Sequence, residues 1–323
     1  PLIRRRMGDT SSPKIDYFYI DFNCIIYNAL ASISFSKGGT IEQLFNEIFR
    51  YLDVLVQSIK PQKVLYIAVD GPAPFAKCTQ QRSRRFIAAK NSAGASFDTT
   101  CISVGTKFME DLHQNLLKYM QLKVSTDKSW STPLLIYSSH RTPGEGEHKF
   151  FNYLREIRKQ SDYDSDSTHC VYSPDADLIF LNLQTKEKYF YLMREWDAWM
   201  NKTDNTGNGK LNNLKTSPED FELLHIPLLR EYLTFDFPDV PINNLVDDFA
   251  GFSFLIGNDF IPHFPDIIIQ HGDFEHVVEA YKETIATTKE FLIKDEAFNK
   301  PVLKQFLTVC VEKLGNKGKA KKK

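Results

Sequence analysis

The chain has 323 residues, of which 42% are hydrophobic, 13% aromatic and 25% charged, with 40 basic side chains against 41 acidic ones. This is a globular composition that excludes a disordered or fibrous chain; no apolar run approaches the roughly 18 residues of a membrane helix, so no membrane partner is expected. Five cysteines without CxxC spacing argue against a disulfide framework or a structural zinc site and imply a reducing, intracellular compartment.

The leading residues 1–15, PLIRRRMGDTSSPKI, lack the apolar stretch of a signal peptide and read as a partial N-terminal segment. A strand is expected over Asp16–Asp21 (DYFYID). A helix follows over Ile41–Ile59, where Leu44, Ile48, Leu52 and Leu55 recur every three or four residues. Val64–Asp70 (VLYIAVD) is a second strand. Another helix starts through GPAPFA just after Asp70, with proline early, where helix starts tolerate it. Then come a helix over Lys107–Leu122, a strand over Leu134–Tyr137, a helix over His148–Lys159 and a strand over Cys170–Asp175 (CVYSPD). The strands are short, nearly continuous apolar runs, as in a parallel sheet covered on both faces. Asn201–Asp220 is polar and too poor in apolar residues to pack, so 201–217 reads as an insertion. Helices are expected over Pro218–Leu233, Val246–Ile256 and Asp273–Phe291, and a Lys-rich disordered tail over 315–323. The alternation implies an α/β fold: a mainly parallel central sheet flanked by helices, with a helical C-terminal part, in one domain over 16–314.

Three of the expected strands end in an acid: Asp21, Asp70 and Asp175. Ligands of open parallel sheets bind just beyond the strand C-termini, so three carboxylates at that edge form a candidate site, although a single Asp after a strand is usually a turn residue or helix cap. Asp175-Ala176-Asp177 adds a carboxylate that points the same way if the chain is extended. In Glu145-Gly146-Glu147 both acids reach one site only if Glu145 precedes the helix, because residues two apart on a helix diverge by about 200°. Asp259 follows Gly257, a helix-capping glycine in LIGNDFIPHFP. Like charges 4 Å apart repel by about 1 kcal/mol in water and about 4 kcal/mol in a cleft. Seven clustered carboxylates must therefore protonate or bind cations. Oxygen ligands alone suit Mg²⁺ or Mn²⁺, and two such ions about 3.5–4 Å apart would serve phosphodiester cleavage.

Between Asp70 and Asp98 there is no acid, yet Lys77, Arg82, Arg84, Arg85 and Lys90 all fall there. Lys77, Gln81, Arg84 and Arg85, at i, i+4, i+7 and i+8, form one stripe on a helix. A charged stripe is usually a solvated face. Here no acid balances it, and arginines bind phosphate through two parallel hydrogen bonds.

AVDGPAPFAKCTQQRSRRF, CISVGTKFM, TPGEGEHKFFNYLR, HCVYSPDADLIFLNL and FSFLIGNDFIPHFP, in this order, resemble the N-terminal catalytic region of the Xrn/Rat family of 5′→3′ exoribonucleases, from about Asp16 to Leu314. The resemblance implies a PIN/flap-nuclease-like fold with two Mg²⁺ ions held by Asp21, Asp70, Glu145, Glu147, Asp175, Asp177 and Asp259. It implies that Lys77, Gln81, Arg84 and Arg85 hold the 5′-monophosphate of a single-stranded RNA, to the exclusion of a cap or triphosphate. Asn23 would lie near the scissile phosphate. The family pattern D-x-N-G-I-I-H is changed here to DFNCIIY, with Cys24 for glycine and Tyr27 for the histidine that stacks on the terminal base. Tyrosine also offers a stacking face. Residues 181–246 contain no cysteine, unlike the zinc knuckle of the nuclear branch, which points to the cytoplasmic branch.

The resemblance thus implies a Mg²⁺-dependent exoribonuclease of RNA turnover. The alternatives are a flap or DNA nuclease of the same superfamily and a non-catalytic RNA-binding fragment. A dehalogenase-type phosphatase would need DxD on the first strand, which Asp21-Phe22-Asn23 is not.

Overall fold

A computed structural model describes residues 4–8, 12–91, 97–196, 217–265, 267–268 and 272–320. In chain order the elements are β1 (Arg4–Arg6), β2 (Tyr17–Asp21), α1 (Asn23–Ser32), α2 (Ile41–Ile59), β3 (Val64–Ala68), α3 (Phe75–Asn91), α4 (Lys107–Thr126), α5 (Lys128–Ser131), β4 (Leu134–Ser138), α6 (Gly146–Ile157), β5 (Thr168–Tyr172) and α7 (Asp177–Thr185). There follow β6 (Tyr189–Glu195), β7 (Phe221–His225), α8 (Ile226–Asp236), α9 (Ile242–Ser253), α10 (Asp273–Thr288), β8 (Ile293–Lys294), β9 (Ala297–Phe298) and α11 (Lys300–Ala320). They fall into two compact units: residues 1–179 with 187–227, and residues 180–186 with 228–323.

The first unit holds a seven-stranded sheet in the order β1-β7-β6-β5-β2-β3-β4. The strands β6, β5, β2, β3 and β4 are parallel; β7 runs antiparallel to β6, and β1 antiparallel to β7. The α/β fold with a mainly parallel sheet is thus as expected. The chain runs outward from β2 through β3 to β4, then returns to β5 on the other side of β2. That reversal is where open α/β sheets leave a crevice at the strand C-termini. Alternate side chains of β2 face opposite layers. Phe18 and Ile20 join a core with Ile25 and Ile26 of α1, Leu52 and Leu55 of α2 and Leu116 of α4. Tyr19 meets Phe150 of α6 on the other face, with ring centroids 5.5 Å apart. Helix α2 forms where its period requires, under a capping box of Thr40 and Gln43.

The second unit packs α9, α10 and α11 around Phe252, Tyr281 and Phe306. Asp248 is fully buried there. It accepts hydrogen bonds from the Tyr281 hydroxyl and from the backbone of Leu292 and Ile293 at 2.7–2.9 Å, which anchors the β8–β9 hairpin.

Several elements differ from expectation. Pro218–Leu233 is not one helix: after a 3₁₀ turn, Phe221–His225 is β7, and the helix starts at Ile226. Strand pairing with β6 and β1 overrides the local pattern, and Pro227 sits in the first turn, where helices start. Strands β1 and β6 and helix α11 are additional. Helix α11 continues through 315–320, part of the stretch read as a tail, while 321–323 and the insertion up to residue 216 lie outside the described residues.

Candidate active site

Of the three expected acid-terminated strands, β2 does end on Asp21, while β3 stops two residues before Asp70 and β5 three before Asp175. The strand ends nevertheless deliver all three acids to one edge. Asp21 is buried, and its Oδ2 accepts a hydrogen bond from Ser173 Oγ at 3.0 Å, across the β2–β5 reversal. Asp70 is held from two sides. Its Oδ1 accepts from the Gly146 amide at 2.8 Å, its Oδ2 from Asn23 Nδ2 at 2.8 Å, and its own amide donates to Asn23 Oδ1 at 3.2 Å.

Glu145 is the N-cap residue of α6 and has an extended backbone, so it precedes the helix as the spacing argument requires. Glu147 lies in the first turn, and both glutamates are buried. The glycine between them has a steric reason. A Cβ at Gly146 would stand 3.0 Å from both the Ala68 carbonyl and Asp21 Oδ1. At Gly71 a Cβ would fall 1.8 Å from the Thr142 carbonyl, so the loop after β3 and the loop before α6 touch backbone to backbone. Asp175 and Asp177 are exposed; the chain between them is not extended, because Asp177 already begins α7.

The electrostatics reflect the proximity of these acids. Burial pushes the Asp21 carboxyl well above the usual carboxylate range; Asp70, Asp175 and Asp177 push it the same way, and the Ser173 hydroxyl opposes them. Burial raises Asp70, whereas the Gly146 amide, Lys77 and Lys149 hold it down. Glu147 is pushed up to about 9, by burial first and then by Asp177, Asp21 and Glu145. Asp21, Asp70, Glu145, Glu147, Asp175 and Asp177 are therefore one electrostatic cluster. Asp259 belongs to the second unit, in the turn after Gly257, whose φ is +80°.

The basic face is α3. Lys77 Nζ stands 3.1 Å from Glu145 Oε2, so the stripe of Lys77, Gln81, Arg84 and Arg85 starts at the edge of the acidic cluster. Tyr27 is 49% exposed; burial raises its hydroxyl, Arg85 lowers it and Asp70 raises it further. Helix α1, which carries Asn23 and Tyr27, is anchored from beneath: Asn28, Tyr51 and Tyr172 all donate to Glu195 Oε1, at 2.5–2.7 Å.

Sequence reasoning missed three neighbours of the cluster. Ser173 bonds Asp21. His148, beside Glu145 and Glu147, offers a ring nitrogen within 4.8 Å of an oxygen of each. Lys149 is buried and donates to the carbonyls of Val69 at 2.6 Å and Ser139 at 2.9 Å; burial lowers it to about 8. GEGEHK does carry His148 and Lys149 in sequence, but nothing in their spacing tells which way they turn.

The donor set fits divalent cations. It is all carboxylate apart from His148, and Asp21, Asp70 and Glu147 are raised by burial first and by neighbouring acids second, a cost that bound cations would relieve.

Residues 2–95 and 90–196 match the family described as XRN 5′-3′ exonuclease N-terminus, and residues 239–322 match the Xrn1 helical domain. The 5′-3′ exoribonuclease 1 of Saccharomyces cerevisiae is 36% identical over 319 residues, covering 90% of this chain and 20% of its own length. That of Homo sapiens is 35% identical, covering 95% and 19%. The 5′-3′ exoribonuclease 2 of Candida albicans is 32% identical, covering 88% and 34%. The chain thus spans between a fifth and about a third of these relatives. The catalytic core of Rad2 in complex with DNA substrate aligns with 92% of this chain and 77% of its own at 13% identity and a TM-score of 0.36, too weak a likeness to argue from.

Proposed function

The chain belongs to the XRN 5′-3′ exonuclease family, and from that premise we propose that it carries the catalytic centre of a 5′→3′ exoribonuclease that hydrolyses 5′-monophosphorylated RNA to mononucleotides. The observation that carries this reading is the convergence of six carboxylates beside the basic start of α3. Asp21, Asp70, Glu145, Glu147, Asp175 and Asp177 would hold two Mg²⁺ or Mn²⁺ ions. Bound there, such ions supply an activated water and stabilise the leaving oxygen.

The other parts of the work fall to side chains of the chain itself. Asn23 keeps Oδ2 and the amide of Asp70 in register with the cluster, while the Gly146 amide holds Oδ1. Arg84, Arg85, Gln81 and Lys77 bind the terminal phosphate; guanidinium forks match its oxygens. Lys77 is paired with Glu145 at 3.1 Å, which places its ammonium at the boundary between the acidic cluster and the phosphate-binding stripe. Tyr27 offers a ring to the terminal base.

The test is digestion of end-labelled RNA with Mg²⁺ present or chelated, comparing a 5′-monophosphate with its 5′-triphosphate twin. Mononucleotides released from the monophosphate alone, and only with Mg²⁺, are expected. Internal cuts irrespective of the 5′ end would replace the exonuclease by an endonuclease.

A further inference from the structure

We propose that Lys149 is the positioning residue of the acidic site, fixing the spacing between Asp70 at the end of β3 and Glu145 and Glu147 at the start of α6. The inference rests on the reading of the cluster as a divalent-cation site.

The β3–β4 ladder runs in parallel register from Val64–Leu134 to Ala68–Ser138, and the Val69 amide adds a last bond to the Ser138 carbonyl at 2.9 Å. One residue further, the ladder has ended on both strands. There the Lys149 ammonium takes both carbonyls, Val69 at 2.6 Å and Ser139 at 2.9 Å. Val69 immediately precedes Asp70. Lys149 stands four residues after Glu145 and two after Glu147, and its amide donates to the Glu145 carbonyl at 3.2 Å. Helical side chains slope toward the N-terminus, which carries the lysine stem back along α6 to the strand ends.

The surrounding contacts are made through backbone amides. The Gly71 amide donates to Gly144 at 2.9 Å, the Gly144 amide to Pro72 at 3.0 Å, and the Gly146 amide to Asp70 Oδ1 at 2.8 Å. Among them Lys149 is the buried side chain that joins β3, β4 and α6 in one place. A compact ammonium has three donors that can diverge to separate carbonyls, whereas a guanidinium holds its donors in one plane. The acids around it repel one another, so their spacing must be imposed by something other than themselves. Groups that orient metal ligands change affinity by about 10- to 100-fold when removed.

The sign of the effect separates positioning from simple charge. By Coulomb's law alone, deleting a cation beside carboxylates tightens their hold on a divalent cation. Positioning predicts a weaker hold. The experiment is Mn²⁺ binding to the 323-residue chain, read by electron paramagnetic resonance of free Mn²⁺, with circular dichroism as the folding control. Lys149→Met should weaken binding at least about 10-fold. Lys149→Arg, which keeps the charge, should fold and still bind several-fold more weakly. In both variants metal-free affinity for 5′-phosphorylated RNA should stay within about twofold of the unaltered chain, because the ammonium is bonded to the Val69 and Ser139 carbonyls. Unchanged or tighter Mn²⁺ binding in either folded variant overturns the proposal; if Lys149→Met fails to fold, Lys149→Arg decides. An unaltered chain that binds no Mn²⁺ removes the cation-site reading, and the proposal with it.

Discussion

The two ends of strands β2 and β5 bury polar groups in opposite ways. Near their N-terminal ends His169 is fully buried, pairs in register with Tyr17, and stacks on it with ring centroids 4.7 Å apart. Its Nδ1 meets the Tyr19 hydroxyl at 3.1 Å and its Nε2 the Tyr163 hydroxyl at 3.0 Å. A neutral imidazole has one donor and one acceptor, and a tyrosine hydroxyl can answer either. Burial pushes this ring down to about 3, so it stays neutral and satisfied. At the C-terminal ends Asp21 is buried just as the histidine is, but its neighbours are Asp70, Asp175 and Asp177, and a serine hydroxyl opposes them. Burial alone therefore says little about purpose. A buried group whose partners are supplied by the fold contributes to stability, whereas one whose neighbours raise its energy marks where a ligand completes the structure.

Asp21→Asn breaks the contrast at its charged end. It keeps the shape of the carboxylate and removes its charge. Hydrolysis of 5′-phosphorylated RNA should fall by at least about 10²–10³-fold, the scale of losing one preorganised electrostatic group. At a pH high enough to ionise the raised Asp21 carboxyl, the metal-free protein should at the same time become more heat-stable, by about 2–4 °C for each kcal/mol of repulsion removed. Calorimetry under chelation checks the second part; a lower melting temperature would mean that the fold needs the Asp21 charge.

His169 tests the other end. Its folded pKa lies below that of an unfolded histidine, about 6.5, so the unfolded chain binds the proton first as the pH falls. Its stabilisation is complete above pH 6.5 and is lost progressively toward pH 3, by about 1.4 kcal/mol per unit. His113, His140 and His148 are also lowered by burial and add slope in the same direction. The share belonging to His169 is the part that His169→Asn removes from urea unfolding measured between pH 3 and 7.5.

How far the sequence reveals these regions depends on the kind of partner involved. Asp21 and Asp70 are legible because each follows a run of apolar residues that can only be a buried strand. That Glu145 must precede its helix if both glutamates are to share one site follows from the divergence of residues two apart, and the Lys77 stripe from helical periodicity. Strand β7 is not legible, because FELLHIPLLREYL satisfies both strand and helix spacing and the decision falls to its pairing with β6 and β1. Lys149 is invisible for a different reason. One of its acceptors is a carbonyl 80 residues away, and every residue offers a carbonyl. Ser173 likewise acquires its partner only when β2 and β5 come to lie side by side.

The contrast extends to exposed groups on the surface, where smaller effects are expected and little on stability. Arg84 is exposed on α3. Arg84→Ala should leave the melting temperature within about 1 °C, since exposed substitutions rarely exceed 0.5 kcal/mol. It should weaken binding of 5′-phosphorylated RNA by about 10- to 100-fold, as for one charge-assisted contact, and leave 5′-hydroxyl RNA nearly unaffected. An equal loss on both would make Arg84 a general backbone contact.

Tyr27 gives the smallest expected change. Its ring is half-exposed, and its hydroxyl is raised first by burial, with Arg85 opposing and Asp70 adding to the shift. If the ring serves as a stacking face, only its aromatic character matters. Tyr27→His should then change the Michaelis constant for RNA by no more than about threefold, while Tyr27→Ala should cost about 1–3 kcal/mol of binding, with both variants melting like the unaltered chain. A Tyr27→Phe variant as impaired as Tyr27→Ala would move the role from the ring to the hydroxyl, and so from stacking to a polar contact at the boundary between the acidic and basic faces.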